Sequence, residues 1–328
     1  MSLFDLPLAE LRTYKPDVRE PVDFDEFWTR TLAEARSLGG DVELGERGVN
    51  LASVDVVDAT FPGFGGHPIK AWYARPAGVD EPLPCIVEVS GYGGSRGLAI
   101  EHTLWPSAGY AYLFMDTRGQ GGGWGNGGDT SDPIGGGPAS PGFMTRGIES
   151  PEQYYFRRVF TDAVRAVDAA RSLPGVDASR VMFKGGSQGG GITLAVAGLV
   201  PDLIAVMPDV PFMCHFERAL ALVDTMPYGE IKKYLSVHRD RDEQTFSTLS
   251  YFDGVNFAKR ANAPSLWSVG LMDEVCPPST GFAAFNWYGG RSAPDVRKQM
   301  EIYSFNNHEG GQGHQIAKQI DFVASVLG

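Results

Sequence analysis

The chain is expected to form an α/β fold: a mostly parallel central sheet with helices on both faces, an N-terminal helical extension and a helical cap insertion. Two observations predict it. Six short apolar runs, at 85–89, 111–115, 181–183, 205–207, 265–269 and 300–303, recur between stretches of helical period. Continuous apolar strands alternating with helices suit a parallel sheet buried on both sides. The third run leads directly into Gly185-Gly186-Ser187-Gln188-Gly189, and a helix-compatible segment at 192–199 follows. That order reads as strand, sharp turn, helix, with one hydroxyl at the tip.

Taken from the N-terminus, the first element is a helix capped by Asp23 or Asp25. It carries Phe27, Trp28, Leu32 and Ala35 on one side and ends near Gly39-Gly40. Residues 1–50 form this extension. Alternating apolar and polar residues at 52–61 and 67–75, joined across Pro62-Gly63-Phe64-Gly65-Gly66, predict an antiparallel hairpin. The strongest helical pattern runs from 160 to 173, with Ala163, Val164, Val167 and Ala170 on one face. Two segments break the rhythm. The stretch 119–147 is rich in glycine, proline and serine and reads as a long loop at the active-site edge. The stretch 212–257 reads as helices inserted between two core strands, a cap over a pocket. The whole, 1–328, is expected to be one domain, a length that α/β folds often reach as a single unit.

Bulk properties narrow the function. Forty acidic against twenty-eight basic residues give a formal charge of −12. That balance argues against a nucleic-acid partner, because phosphate binding needs a basic face. Three widely spaced cysteines, Cys85, Cys214 and Cys276, suit neither a disulfide framework nor a zinc site. Cys85 lies in an apolar run and is expected in the core, and Cys276 is expected as a partly exposed thiol. The opening residues lack a signal-peptide pattern and no run is long enough to span a membrane, so a cytoplasmic location is expected. Gly123-Trp124-Gly125-Asn126-Gly127-Gly128 matches a dinucleotide fingerprint, but no helix follows it. No phosphate-binding Gly-Lys-Ser/Thr is present, and no second histidine stands at zinc-protease spacing from His308. No cofactor and no metal are expected.

The chemistry then converges on one set of residues. Ser187 at the turn is the candidate nucleophile, with the Gln188 backbone N–H aimed at any oxyanion formed beside it. A serine hydroxyl needs a base, and His308, in the turn after the last strand, is preferred over His314 six residues later. The base needs an acid. Asp273, just past the run at 265–269, is the first choice, and Asp209 is the alternative. The second oxyanion N–H is assigned to Tyr92 in Ser90-Gly91-Tyr92-Gly93-Gly94, with its ring lining the pocket. The order Ser187, Asp273, His308 is that of α/β-hydrolases.

With these residues in hand, the chain resembles carbohydrate esterase family seven, the acetyl xylan esterases and cephalosporin-C deacetylases. The resemblance rests on Phe4-Asp5-Leu6-Pro7-Leu8, Arg118-Gly119-Gln120, Gly185-Gly186-Ser187-Gln188-Gly189 and His308-Glu309, and covers essentially the whole length. It implies Ser187 as nucleophile, Asp273 as acid, His308 as base, and the Tyr92 and Gln188 N–H groups as oxyanion hole. It also implies removal of acetyl groups from small esters such as acetylated xylo-oligosaccharides and cephalosporin C. An intracellular homo-oligomer, commonly a hexamer with active sites facing an internal chamber, is implied as well. Arg118 and Gln120 are expected to order loops beneath the site. The glycine-rich stretch 121–147 departs from familiar members. Rival readings are a broader short-chain carboxylesterase, a peptidase or dienelactone-type hydrolase, and a catalytically silent binding protein.

Overall fold

The computed structural model describes residues 3–134 and 142–328. Residues 135–141, part of the expected loop, lie outside the described residues. Nine strands form one sheet: β1 (Glu43–Arg47), β2 (Val54–Pro62), β3 (Pro68–Pro76), β4 (Leu83–Val89), β5 (Ala111–Met115), β6 (Val176–Gly186), β7 (Ala205–Asp209), β8 (Ser265–Gly270) and β9 (Lys298–Tyr303). Their order is β1-β2-β3-β5-β4-β6-β7-β8-β9. The first three strands and the β3/β5 pair are antiparallel. From β5 through β9 every pair is parallel. All six apolar runs fall inside strands of this sheet, and the expected hairpin is the β2/β3 pair.

Helices cover both faces. The first four are α1 (Leu8–Leu11), α2 (Phe24–Ser37), α3 (Leu104–Ser107) and α4 (Tyr155–Ser172). Next come α5 (Gln188–Leu199), α6 (Phe216–Leu222), α7 (Tyr228–Val237) and α8 (Asp242–Ser250). The last three are α9 (Gly254–Ala258), α10 (Pro278–Trp287) and α11 (Gln312–Leu327). α3 and α11 pack on one face, over Ile86, Met182, Met207 and Leu266. α4 and α5 pack on the other, over Val87, Leu113, Phe183 and Val206.

Departures from the sequence reading have physical causes. α4 begins five residues early, because Tyr155, Phe156 and Val159 are buried along with Arg157, Arg158 and Asp162. Charged residues buried in pairs erase the apolar stripe that periodicity detects. The edge strand β1 was not anticipated: all five residues are exposed, and a charged edge strand lacks an apolar face. Asp23 does occupy the N-cap position of α2 but makes no side-chain cap bond; its carboxylate accepts the Tyr251 hydroxyl at 2.5 Å. Asp25 pairs with Arg260 instead.

Helices α6–α9 stand between the core strands β7 and β8, where an insertion of helices was expected. Their aromatic side, Phe216, Tyr228 and Phe257, packs into the core shared with α2, α4 and α5. α9 lies so close to α5 that a Cβ on Gly198 would meet the Phe257 carbonyl at 2.6 Å. Asp253 fixes this insertion by accepting the backbone N–H groups of His215, Phe216 and Val255 at 2.9–3.1 Å. Its apolar surface is thus spent on the core rather than spread over a pocket.

After β5 the chain enters the glycine-rich stretch. Asp116, fully buried, gathers it: one carboxylate oxygen accepts Arg96 N–H at 2.9 Å. The other accepts Asp129 and Thr130 N–H at 2.7 and 2.8 Å. Among the described residues of 119–147 only a single turn of 3-10 helix, Phe143–Thr145, is regular.

Candidate active site

Strand order reverses around β4, whose neighbours are β5 on one side and β6 on the other. Loops leaving the carboxyl ends of strands diverge at such a point and leave a crevice. The loops after β4 and β6 flank it, and they carry Tyr92 and Ser187.

Ser187 is held in a backbone conformation that side chains rarely adopt, φ 58° and ψ −117°. Two bonds to the chain after β7 lock it. Ser187 N–H donates to the Asp209 carbonyl and Phe212 N–H donates to the Ser187 carbonyl, both at 2.9 Å. The surrounding glycines are required by close approach. A Cβ on Gly185 would lie 2.6 Å from the Gly189 carbonyl carbon, and one on Gly189 would lie 2.4 Å from the Val89 carbonyl oxygen. β4, β6 and α5 can converge on Ser187 only without side chains at those positions.

Three distant segments meet at this turn. His308 Nε2 lies 2.8 Å from Ser187 Oγ, and His308 Nδ1 lies 2.8 Å from Asp273 Oδ2. Asp273 is fully buried, and its other oxygen accepts Val275 and Cys276 N–H at 2.8 and 2.7 Å. With its proton on Nδ1, the imidazole donates to Asp273 and offers Nε2 to the Ser187 hydroxyl as acceptor. Asp209, the alternative acid, makes no contact with His308; its carboxylate is taken by the Gln315 and Gln319 amides at 2.9 and 2.6 Å. Burial pushes its pKa up to about 6, against the opposing pull of Lys184. His314 stands exposed in the first turn of α11.

Gln120 joins the two loops flanking the crevice. Its Oε1 accepts Gly93 N–H at 2.7 Å, and its Nε2 donates to Gln188 Oε1 at 2.7 Å and to the Tyr155 hydroxyl at 3.1 Å. Arg118, also fully buried, makes a bidentate pair with Asp162 at 2.5 and 2.7 Å. Both side chains order loops beneath the site.

A model of the acetyl xylan esterase (AXE1) family matches residues 1–326. The chain belongs to that family. It is similar over its whole length to two solved structures. An acetyl xylan esterase from Paenibacillus sp. R4 is 38% identical with a TM-score of 0.88, covering 98% of this chain and 99% of that one. Acetyl Xylan Esterase 1 from Thermoanaerobacterium sp. JW/SL YS485 is 33% identical with a TM-score of 0.88, covering 99% and 100%. The acetyl esterase Axe7A of Xylanibacter ruminicola is 28% identical over 307 residues, 90% of this chain; the match spans 65% of Axe7A's own length. With the family comes the α/β-hydrolase fold, and the sheet order matches it.

Several features of this family member escaped the sequence reading. The Tyr92 ring does not line the pocket. It packs against Phe143 and Phe212, and its hydroxyl donates to Glu230 of α7 at 2.8 Å while accepting Phe143 N–H at 2.7 Å. Burial, reinforced by the Glu230 charge, raises the Tyr92 pKa. Trp124 donates its indole N–H to the Tyr92 carbonyl at 2.7 Å, so a residue from the rejected nucleotide motif fixes the loop instead. A lone tryptophan inside a glycine run was the available signal.

Cys276 is not a partly exposed thiol. Its backbone N–H is tied to Asp273, which turns the side chain inward to 3% exposure, and burial raises the thiol pKa well above its ordinary value. Cys85 is buried in β4, as expected.

A cavity of about 610 Å³ opens beside Ser187 and His308, within the range that holds small ligands. Ser90, Gly91 and Trp124 border it, and no described residue of α6–α9 does. The insertion reaches the site through Glu230, which accepts the Tyr92 hydroxyl. Among the described residues no helix is long and apolar enough to cross a membrane.

Proposed function

We propose that the chain is a serine esterase hydrolysing acetyl esters of small molecules, acetylated xylo-oligosaccharides foremost, through an acyl-enzyme intermediate. The observation that carries this reading is the unbroken chain of 2.8 Å contacts from Asp273 through His308 to the strained Ser187. His308 Nε2 takes the hydroxyl proton as Oγ attacks the acetyl carbonyl. The oxyanion is received by the N–H groups of Gln188 and Tyr92, at the start of α5 and in the loop after β4. His308 returns the proton to the leaving alcohol, and the acetyl group stays on Ser187. Water then gives a proton to the same imidazole, attacks the acyl carbon and releases acetate, and Ser187 recovers its proton.

Cephalosporin C and other short-chain esters are further substrates of the same chemistry. An assembly of several copies, a hexamer by the family resemblance, belongs to this reading and is tested by light scattering. The deciding experiment is Ser187→Ala with p-nitrophenyl acetate. The variant is expected to keep its melting temperature and lose at least ~10⁴-fold in kcat. Near-parental turnover would end the reading. Loss of reaction with a fluorophosphonate probe in the same variant separates an active serine from a silent binding protein.

A further inference from the structure

The cavity beside Ser187 does not stop at the reacting atoms. It continues along the α3/α11 face of the sheet to a polar floor made by neighbouring residues of β4 and β6. Glu88 and Lys184 are register partners across these strands. Lys184 Nζ lies 2.9 Å from Glu88 Oε1, and the Tyr112 hydroxyl donates to Glu88 Oε2 at 2.8 Å. All three line the cavity. Ile86, Met182, Ala205 and Met207 give the same sheet face an apolar surround, and Asp209, held by Gln315 and Gln319, stands beyond them on the cavity wall. A half-sequestered ion pair there costs desolvation that an apolar pair would avoid, so stability alone does not account for it.

The floor still has bonding capacity. Among the described residues Lys184 Nζ donates to one acceptor, and an ammonium has three donors. A carboxylate has about four lone-pair sites, of which the Glu88 contacts use two. Ser90, buried on the same cavity wall, presents a hydroxyl with no partner among the described residues. Donors and acceptors thus stand side by side, and a second carboxylate, Asp209, shares the cavity wall with them. Such a surface suits a ligand group that both donates and accepts, a hydroxyl, over a carboxylate that only accepts. An aromatic face completes the site: Trp124, which borders the cavity, is 57% exposed beside the loop after β4. An indole face packs against the C–H face of a sugar ring while the ring's hydroxyls reach polar neighbours. Lys184 and Ser187 are three positions apart, at most about 10 Å of chain. A short oligosaccharide bridges that span, and a small simple alcohol does not.

We propose that Lys184, Glu88 and Tyr112 form a hydroxyl-binding subsite that selects a neutral sugar as the alcohol part of the ester. This rests on the esterase reading and adds the specificity determinant to it. The three residues bind substrate away from the bond that breaks, so they govern recognition of sugar esters and leave acetyl transfer from other alcohols untouched.

The test compares two esters in the full chain: acetylated xylobiose, and p-nitrophenyl acetate, whose alcohol carries no sugar. The double variant Lys184→Met with Glu88→Gln removes both charges together and strands neither. Its kcat/KM for acetylated xylobiose is expected to fall about ten- to a hundredfold, mostly through KM. Its kcat/KM for p-nitrophenyl acetate is expected to stay within about twofold of the parent. Tyr112→Phe, which deletes a single hydroxyl, should give a smaller loss confined to the sugar ester and keeps the test open should the double variant fail to fold. Equal losses on both esters, or no loss on either, would overturn the assignment. A parent inactive on both would overturn the esterase reading and this subsite with it, whereas an active parent with indifferent variants overturns the subsite alone.

Discussion

Gln120 offers the most demanding test of how the site is built, because it touches no reacting atom. The perturbation is Gln120→Met, which keeps the side-chain volume at a fully buried position and removes the hydrogen bonds to Gly93, Gln188 and Tyr155. Gly93 N–H, buried, loses its acceptor, at a cost of about 1–3 kcal/mol. Bonds to Gln188 and Tyr155 add roughly 0.5–1.5 kcal/mol each, and the Tyr155 hydroxyl keeps its bond to the Arg118 carbonyl. A net loss of about 2–6 kcal/mol is expected, or about 4–12 °C in melting temperature at roughly 2 °C per kcal/mol for a chain of this size. The catalytic effect is separate. Gly93 follows Tyr92 directly, and its released N–H frees the loop that, in the proposed mechanism, presents the Tyr92 N–H to the oxyanion. Deleting an oxyanion donor outright costs about 10²–10³ in kcat; a donor displaced but present should cost about 10–10². The assay is p-nitrophenyl acetate hydrolysis well below the variant's melting temperature, with active sites counted by fluorophosphonate titration. A variant that melts early yet turns over like the parent per active site would refute the positioning role and leave Gln120 a packing residue.

Other consequences can be checked in parallel. Asp209→Asn removes a carboxyl whose pKa burial raises from 3.8 to about 6. A group held above its unfolded pKa contributes stability that is present at low pH and lost as pH rises through the folded value. The variant's stability relative to the parent should therefore improve by roughly 3 kcal/mol between about pH 4 and pH 7; urea midpoints at both pH values read this, and a constant difference contradicts it. Gly189→Ala should destabilise by at least about 1–3 kcal/mol and cut kcat, because the new methyl meets the Val89 carbonyl at 2.4 Å. All three cysteines are buried with raised pKa values, so Ellman's reagent should titrate none in the native protein and three after denaturation; rapid native labelling would place a thiol at the surface.

Most of the sheet was legible because its strands announce themselves as uninterrupted apolar runs, and the Ser187 turn because only glycines tolerate its crowding. The meeting of Ser187, Asp273 and His308 could be read from their places at three strand ends. What stayed hidden was polar and long-range. Glu230 is 138 residues from the hydroxyl it holds, and no local pattern couples it to Tyr92. Buried charges such as Arg157, Arg158 and Asp162 read as a solvent face, which cost α4 its first turn. The packing of the insertion stayed hidden for a related reason: sequence shows that the segment 212–257 is helical, but not which face its aromatic residues choose. Glu88, inside the run at 85–89, and Lys184, directly after the run at 181–183, become neighbours only through the register of β4 and β6, which no local pattern gives.

Asp116 carries a consequence for how the chain assembles. A stretch this rich in glycine gives up much backbone freedom when it orders, and Asp116 supplies the fixed point around which it can do so. That carboxylate arrives at its place only with β5, and one of its partners, Arg96, arrives only with the segment after β4. The segment from Gly119 to Thr130 should consequently be among the last parts to settle during refolding, and Trp124 should report the moment. Its fluorescence would change in a phase slower than the one in which the central strands form.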